Sequence, residues 1–338
     1  MGVIILDGTQ LEEPVSAYHI PGDKGGPLFI LIPGNPGVCQ YYSEYLDELK
    51  GLLPSYEFLC ASHRGMDALL NPKGSVGKTT PYKLTDQVEH LCNVLEWATA
   101  RATSSDPRDV IIMGHSMGAW LLQRVLVRFA NSPKIRFKMA GLLTPTIRDL
   151  AGSPKGVKLS WILDTVTQYP GYVMARTVQA LYKTLPNFAF GYAIKLGLGG
   201  WSSTPSHAIV STIAMLSRPS ILVQVGQLAA DEISHIKSDL PEFWDASIAT
   251  DRGFAIWAYF AQNDPWVSDT TRDEIISEHS HLPSVHFDIA KGDPEDAIAH
   301  SFCLRQSSRF ARITAYRISI TPGLEPTKPQ PPTISSQL

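Results

Sequence analysis

The chain has 338 residues, enough for one large core or two modest domains, and is 44% hydrophobic and 18% charged. Its formal net charge of −3, without any long basic run, excludes the electrostatic footprint of a nucleic-acid binder. The N-terminus lacks the basic and apolar regions of a signal peptide, Leu6 stands where the myristoylation pattern wants Ser or Thr, and no apolar run of about eighteen residues offers a transmembrane helix.

Four scattered cysteines, Cys39, Cys60, Cys92 and Cys303, form no Cys-x-x-Cys pair, so reduced thiols in an intracellular protein are expected. In chain order, Val3–Leu6 and Val15–Ile20 read as early strands on either side of an Asp7-Gly8 turn signal. Leu28–Ile32 is continuously apolar, as expected of a strand buried on both faces, and ends in Pro33-Gly34-Asn35-Pro36-Gly37. Gln40–Leu53 has helical period, Tyr56–Ala61 is the next strand, Asn71–Pro81 an excursion loop, and Leu84–Ala100 an amphipathic helix. Val110–Met113 and Met139–Pro145 read as further buried strands around a helix that starts near Ala119. Strands alternating with helices predict a mostly parallel sheet with helices on both faces.

Between about Ile147 and Thr250 the rhythm changes, and helix-like segments follow one another over Val157–Val166, Tyr172–Leu185, Phe188–Leu198 and Ala208–Leu216. Ser220–Val225 could pass for a strand, but Pro219 suits a first helical turn and Leu228, Ile233 and Ile236 continue a helical spacing. This stretch, 147–250, is expected to be a helical cap inserted into a core made of 1–146 and 251–318. Its dense aromatics are expected to build the cap's own core, the wall of an apolar pocket, or a face that docks on lipid. Phe254–Phe260 resumes the sheet, Asp269–His279 is a polar helix, Val285–Ile289 the last strand, and a closing helix runs to about Tyr316. The Pro-rich tail, 319–338, is expected to be disordered.

Gly114-His115-Ser116-Met117-Gly118 joins a buried strand to a helix. A strand turning that sharply leaves no room for side chains flanking the serine, and the helix N-terminus behind it favours negative charge. Ser116 is therefore the candidate nucleophile. A serine hydroxyl needs a base, and the base a third group to orient it. In the chain order Ser, acid, His, Asp264 follows a strong strand in a turn fixed by Pro265, and His300 follows the last strand. Asp288 and Asp293 are the fallback acids.

Two backbone N–H groups are expected to receive the oxygen that becomes negative, those of Met117 and Asn35, since Pro36 has none. Asn35→Pro should then be severe, and Asn35→Ala, which keeps the N–H, mild. His115 faces away from the serine by strand alternation. With His63 and Trp266 it completes the candidates for the pocket. Gly74–Thr80 ends in Gly-Lys-Thr but lacks both the earlier glycine and the preceding strand of a phosphate loop. No spacing singles out a metal, and neither metal nor cofactor is expected.

Several of these segments together resemble the lipid droplet-associated hydrolases, a branch of the α/β-hydrolases. They are Leu31–Gly37 followed by Tyr41-Tyr42, Ser62-His63, Leu84-x-Asp86-Gln87-Val88-x-His90, and Gly114–Trp120. Asp231-Glu232-Ile233, Asp264-x-Trp266-Val267 and His300-x-Phe302-Cys303 belong to the same set. The resemblance spans most of the chain, and the Pro-Gly-Asn-Pro-Gly turn with its Tyr-Tyr is its most specific part. It implies an α/β-hydrolase fold, the triad Ser116, Asp264 and His300, a lipid-like ester substrate, sterol esters included, and attachment to lipid droplets or the endoplasmic reticulum. The terminal Ser336-Gln337-Leu338 is a distant relative of the peroxisomal signal, without its basic residue. A serine ester hydrolase is the leading expectation. A thioesterase of a specialised lipid or polyketide pathway, and a lipid-surface protein with weak or no hydrolase activity, stay open beside it.

Overall fold

The computed structural model describes residues 2–67, 81–100, 107–167, 169–184, 205–248, 253–293 and 297–324. The helix expected over 188–198, most of the loop from 71 and the last fourteen residues lie outside them.

Eight strands form one sheet in the order β1-β2-β4-β3-β5-β6-β7-β8. β1 (Gly2–Leu6), β2 (Val15–Ile20) and β4 (Glu57–Ala61) pair antiparallel along one side. From β4 onward, β3 (Leu28–Ile32), β5 (Arg108–His115), β6 (Ile135–Leu143), β7 (Ala255–Phe260) and β8 (Val285–Ile289) pair in parallel. Every residue of β3 is buried, which is why its sequence is apolar without alternation, whereas β8 at the sheet edge has none fully buried.

α1 (Ser43–Leu52) packs on α10 (Ser307–Ser319), and α2 (Leu84–Ala100) on α3 (Met117–Phe129), flanking the sheet. The helical period at Gln40 opens as a 3₁₀ turn, Cys39–Tyr42, before α1 begins. Aromatic rings knit α1 and α10 to the sheet: Phe310 lies 4.9 Å from Tyr259 and 6.0 Å from both Tyr45 and Trp257, centroid to centroid.

Between β6 and β7 the described residues form α4 (Pro154–Thr165), α5 (Pro170–Thr184), α6 (Ser206–Leu216), α7 (Pro219–His235) and α8 (Pro241–Ser247). The ambiguous 220–225 stretch is helical, inside α7, where Ile221, Leu222 and Leu228 are buried. α8, which apolar periodicity did not suggest, is a seven-residue helix opened by Pro241 and anchored by the buried Phe243 and Trp244. After β7 come α9 (Asp269–His279), β8 and α10.

Candidate active site

The serine sits where β5 ends and α3 begins, with φ 55° and ψ −124°, a left-handed region that a non-glycine residue enters only under constraint. The constraint is backbone crowding. A Cβ on Gly114 would lie 2.3 Å from the Gly118 carbonyl oxygen, and one on Gly118 would lie 2.4 Å from that of Ile32. Both neighbours must therefore be glycine. The Ser116 N–H is used by the Leu143 carbonyl (3.0 Å), which ties the elbow to β6.

Ser116 Oγ donates to His300 Nε2 at 2.9 Å, and His300 Nδ1 donates to Asp264 Oδ2 at 2.7 Å. Asp264 and His300 are both buried. The other Asp264 oxygen accepts the Trp266 N–H at 2.8 Å, so the loop after β7 orients the carboxylate from behind. The structure thus brings together residues 36 and 184 positions apart in the chain. Of the fallback acids, Asp288 is instead bound to Trp257 and Arg317.

Met117 opens α3, where the first N–H groups have no intrahelical acceptor. Asn35 lies in the turn after β3. Among the described residues neither its N–H nor that of Met117 has a hydrogen-bond acceptor. The turn is braced from below by two histidines. His63 Nε2 donates to the Pro33 carbonyl at 2.9 Å. Gly34 N–H donates to the Tyr42 hydroxyl at 2.9 Å, Tyr42 donates to His115 Nδ1 at 2.6 Å, and His115 Nε2 donates to the His300 carbonyl at 2.8 Å.

Burial pushes both histidines down to about 3, a fall that His300 reinforces for His115 and His90 for His63, so each ring stays neutral. A neutral ring has one donor and one acceptor, which is the division His115 needs between Tyr42 and His300. Burial likewise raises the Tyr42 hydroxyl well above its ordinary value, keeping it a donor.

His63 and His115, taken from sequence as pocket residues, are thereby buried struts. His63 also lines a separate cavity of about 200 Å³, with Ser62, Asp67, His90, Val223 and Gln224 among its walls. Trp266 is half-buried, its ring 5.2 Å from Lys155 Nζ, and its backbone is what touches the acid. Sequence reasoning passed over Tyr42 and Thr144, whose Oγ1 donates to the His300 carbonyl at 3.1 Å. Tyr42 was visible only as half of a Tyr-Tyr motif. Thr144 gave no signal. Among the described residues no group of three or more His, Cys, Asp or Glu side chains could hold a metal ion.

The family model for lipid-droplet associated hydrolase matches residues 25–303, from the loop before β3 to just past His300. The chain belongs to the lipid droplet-associated hydrolase family. Lipid droplet-associated hydrolase of Drosophila melanogaster is 23% identical over 308 residues, covering 90% of this chain and 91% of its own length. That of Gallus gallus is 25% identical, covering 84% and 82%. A thermophilic esterase from Thermogutta terrifontis superposes with a TM-score of 0.53 at 11% identity, over 94% of this chain and 98% of the other. The fold is that of the α/β-hydrolases, and this family member is a hydrolase. No single helix among its described residues is long and apolar enough to cross a membrane.

Proposed function

We propose that the protein is a serine ester hydrolase that cleaves a hydrophobic acyl or lipid ester through an acyl-enzyme. The observation that carries this reading is the unbroken relay from Ser116 Oγ to His300 Nε2 and from His300 Nδ1 to Asp264 Oδ2, at 2.9 and 2.7 Å. In the first half-reaction Ser116 Oγ attacks the ester carbonyl while His300 takes its proton, and Asp264 stabilises the imidazolium. The carbonyl oxygen, now negative, is received by the N–H groups of Asn35 and Met117. Collapse of the tetrahedral intermediate expels the alcohol, which takes the proton from His300. Water then repeats the sequence on the acyl-serine.

Residues 147–250 act as the cap over a core of 1–146 and 251–318. The outer side of that cap favours a lipid surface as the place of work. Val157, Trp161 and Val166 of α4 and the segment after it are 57–63% exposed, as is Tyr169, with Lys155 and Lys158 nearby in sequence. Large aromatic and aliphatic side chains in contiguous exposure mark an interaction face, and flanking lysines suit anionic headgroups. The relatives' names point to the lipid droplet.

The test is labelling with a fluorophosphonate probe together with turnover of p-nitrophenyl esters of graded chain length. Ser116 should be labelled, Ser116→Ala should lose labelling, and its turnover should fall by roughly 10⁴–10⁶-fold. Folded protein left unlabelled at Ser116 would overturn the reading.

A further inference from the structure

Asn35 is held by its side chain as well as by the turn it sits in. Its Nδ2 donates to Glu232 Oε1 at 2.7 Å and to the Val225 carbonyl at 3.0 Å. Both acceptors lie on α7. The neighbouring residues of the turn are fixed from the other side, Pro33 by His63 and Gly34 by Tyr42. One turn is thus clamped between the sheet core and a helix of the insertion.

Glu232 is an unexpected residue for that position. It is 7% exposed and its partner is a neutral amide, whereas buried carboxylates ordinarily pair with a cation. Burial, with Asp231 adding to it and the Asn35 bond opposing, raises its pKa to about 8, so it is largely the neutral acid at pH 7. Asp231 beside it does different work: it accepts the Leu84 N–H at the start of α2 (2.8 Å) and pairs with His235 (3.1 Å). Gln224, on the same helix, exchanges two 2.8 Å bonds with the backbone of Tyr82. These contacts tie α7 to the core independently of Glu232, as do the buried Ile221 and Leu228. An apolar side chain of Glu232's volume would fill its site without a buried carboxyl.

We propose that Glu232 is a positioning residue for ester hydrolysis: through the Asn35 side chain, α7 sets the direction in which the Asn35 N–H meets the developing oxyanion. The proposal rests on the assignment of Ser116 as nucleophile and of Asn35 and Met117 as oxyanion donors. On this view the insertion is part of the catalytic apparatus for every substrate, including those too small to touch it. It also reverses the expectation that Asn35→Ala is mild, because alanine keeps the N–H but loses its anchor.

The experiment measures kcat and KM on p-nitrophenyl acetate, and the rate of Ser116 labelling by a fluorophosphonate, for the full chain and five variants. Glu232→Leu keeps the volume and removes the acceptor; kcat and the labelling rate should fall about 10- to 100-fold with KM little changed. Glu232→Gln restores the acceptor and should recover most of that loss, which simple repacking would not do. Asn35→Ala and Glu232→Ala should each match the leucine variant, and the double variant should be no worse than either, because all break one connection.

Glu232→Leu or Asn35→Ala turning over and labelling at the wild-type rate would overturn the proposal, as would losses that multiply in the double variant. Should the leucine variant fold poorly by circular dichroism, the comparison of Gln with Ala and the Asn35–Glu232 cycle decide in its place. Failure of the underlying assignment looks different: the wild-type chain itself would then remain unlabelled at Ser116.

Discussion

From Val110 to His115 every residue of β5 is buried, and so is all of β3; in α4, by contrast, Gly156 is the one buried residue and Trp161 stands 63% exposed. Both stretches are rich in aliphatics, so composition alone would have treated them alike. The difference lies in what each apolar face meets. Strand side chains meet helices on both faces of the sheet, which makes the strand ends rigid and lets Ser116 and Asp264 be placed to within hydrogen-bond tolerance. α4 shows its apolar side to solvent, which is where the proposed lipid surface would meet it. The insertion is therefore two layers. Its inner helix α7 shares the core through Ile221 and Leu228 and binds Asn35 in the turn after β3, while α4 leaves most of its apolar side chains exposed.

That contrast breaks most strongly at the root of the insertion. Asp239, between α7 and α8, accepts from the Arg148 guanidinium at 2.6 Å, Trp244 Nε1 at 2.7 Å and His279 Nε2 at 3.1 Å, joining the exit of β6 to α8 and α9. Burial alone would raise its pKa, but the bonds from His279 and Arg148 outweigh it and lower it to about 2. Asp239→Ala removes the acceptor of Trp244 Nε1 and His279 Nε2 and leaves the part-buried Arg148 guanidinium with Glu278 alone. A loss of about 2–4 kcal/mol is expected in urea unfolding monitored by tryptophan fluorescence. A loss under about 1 kcal/mol would mean that the insertion is not rooted there.

What could be read from sequence follows the same division. Wherever a residue's position depends on chain order and strand burial, the pattern places it. Ser116 lies in a Gly-x-Ser-x-Gly between strand and helix, Asp264 follows a strand that is apolar throughout, and His300 follows the last strand. Roles fixed by contacts across the fold left no periodic trace. His115 is next to the serine in sequence, yet its function is set by Tyr42, 73 residues earlier, and by the His300 carbonyl, 185 residues later. Glu232 meets Asn35 across 197 residues and sits in a helix whose period is indifferent to whether that position is polar. Even the helix α8 escaped notice, because seven residues are too few for a 3.6-residue period to declare itself.

A milder break concerns pH. Glu232 holds its proton in the folded state up to about pH 8, whereas in the unfolded chain it releases it near 4.5. Between those values the folded state binds more protons, so stability falls as pH rises, by up to about 1.4 kcal/mol per pH unit from this group. Asp239 runs the other way: its contribution is present above its unfolded value of 3.8 and is lost as pH falls toward about 2. Glu232→Gln should flatten the decline between pH 5 and 8 in a urea-midpoint series and leave the acid limb unchanged. An unaltered slope would show that the carboxyl is ionised in the folded protein, and the inner layer would then lose its claim to be core-like at that point.

The outer layer offers the smallest effect on the chain itself and the clearest separation of the two. Trp161 and Tyr169 are 63% and 62% exposed, so replacing both by serine removes little buried surface, and the unfolding free energy should change by less than about 0.5 kcal/mol. Turnover of p-nitrophenyl acetate should be unchanged, because neither side chain bonds to Ser116, His300 or Asp264. Flotation with phospholipid-coated triolein emulsions should drop severalfold, since aromatic rings contribute to interfacial binding roughly in proportion to the apolar area they bury, at about 25 cal/mol per Å². Flotation equal to wild type, with stability and turnover also unchanged, would move the lipid-facing side of the molecule elsewhere. Loss of flotation together with turnover would instead mean that the outer helices reach the catalytic turn through α7, erasing the distinction between the two layers.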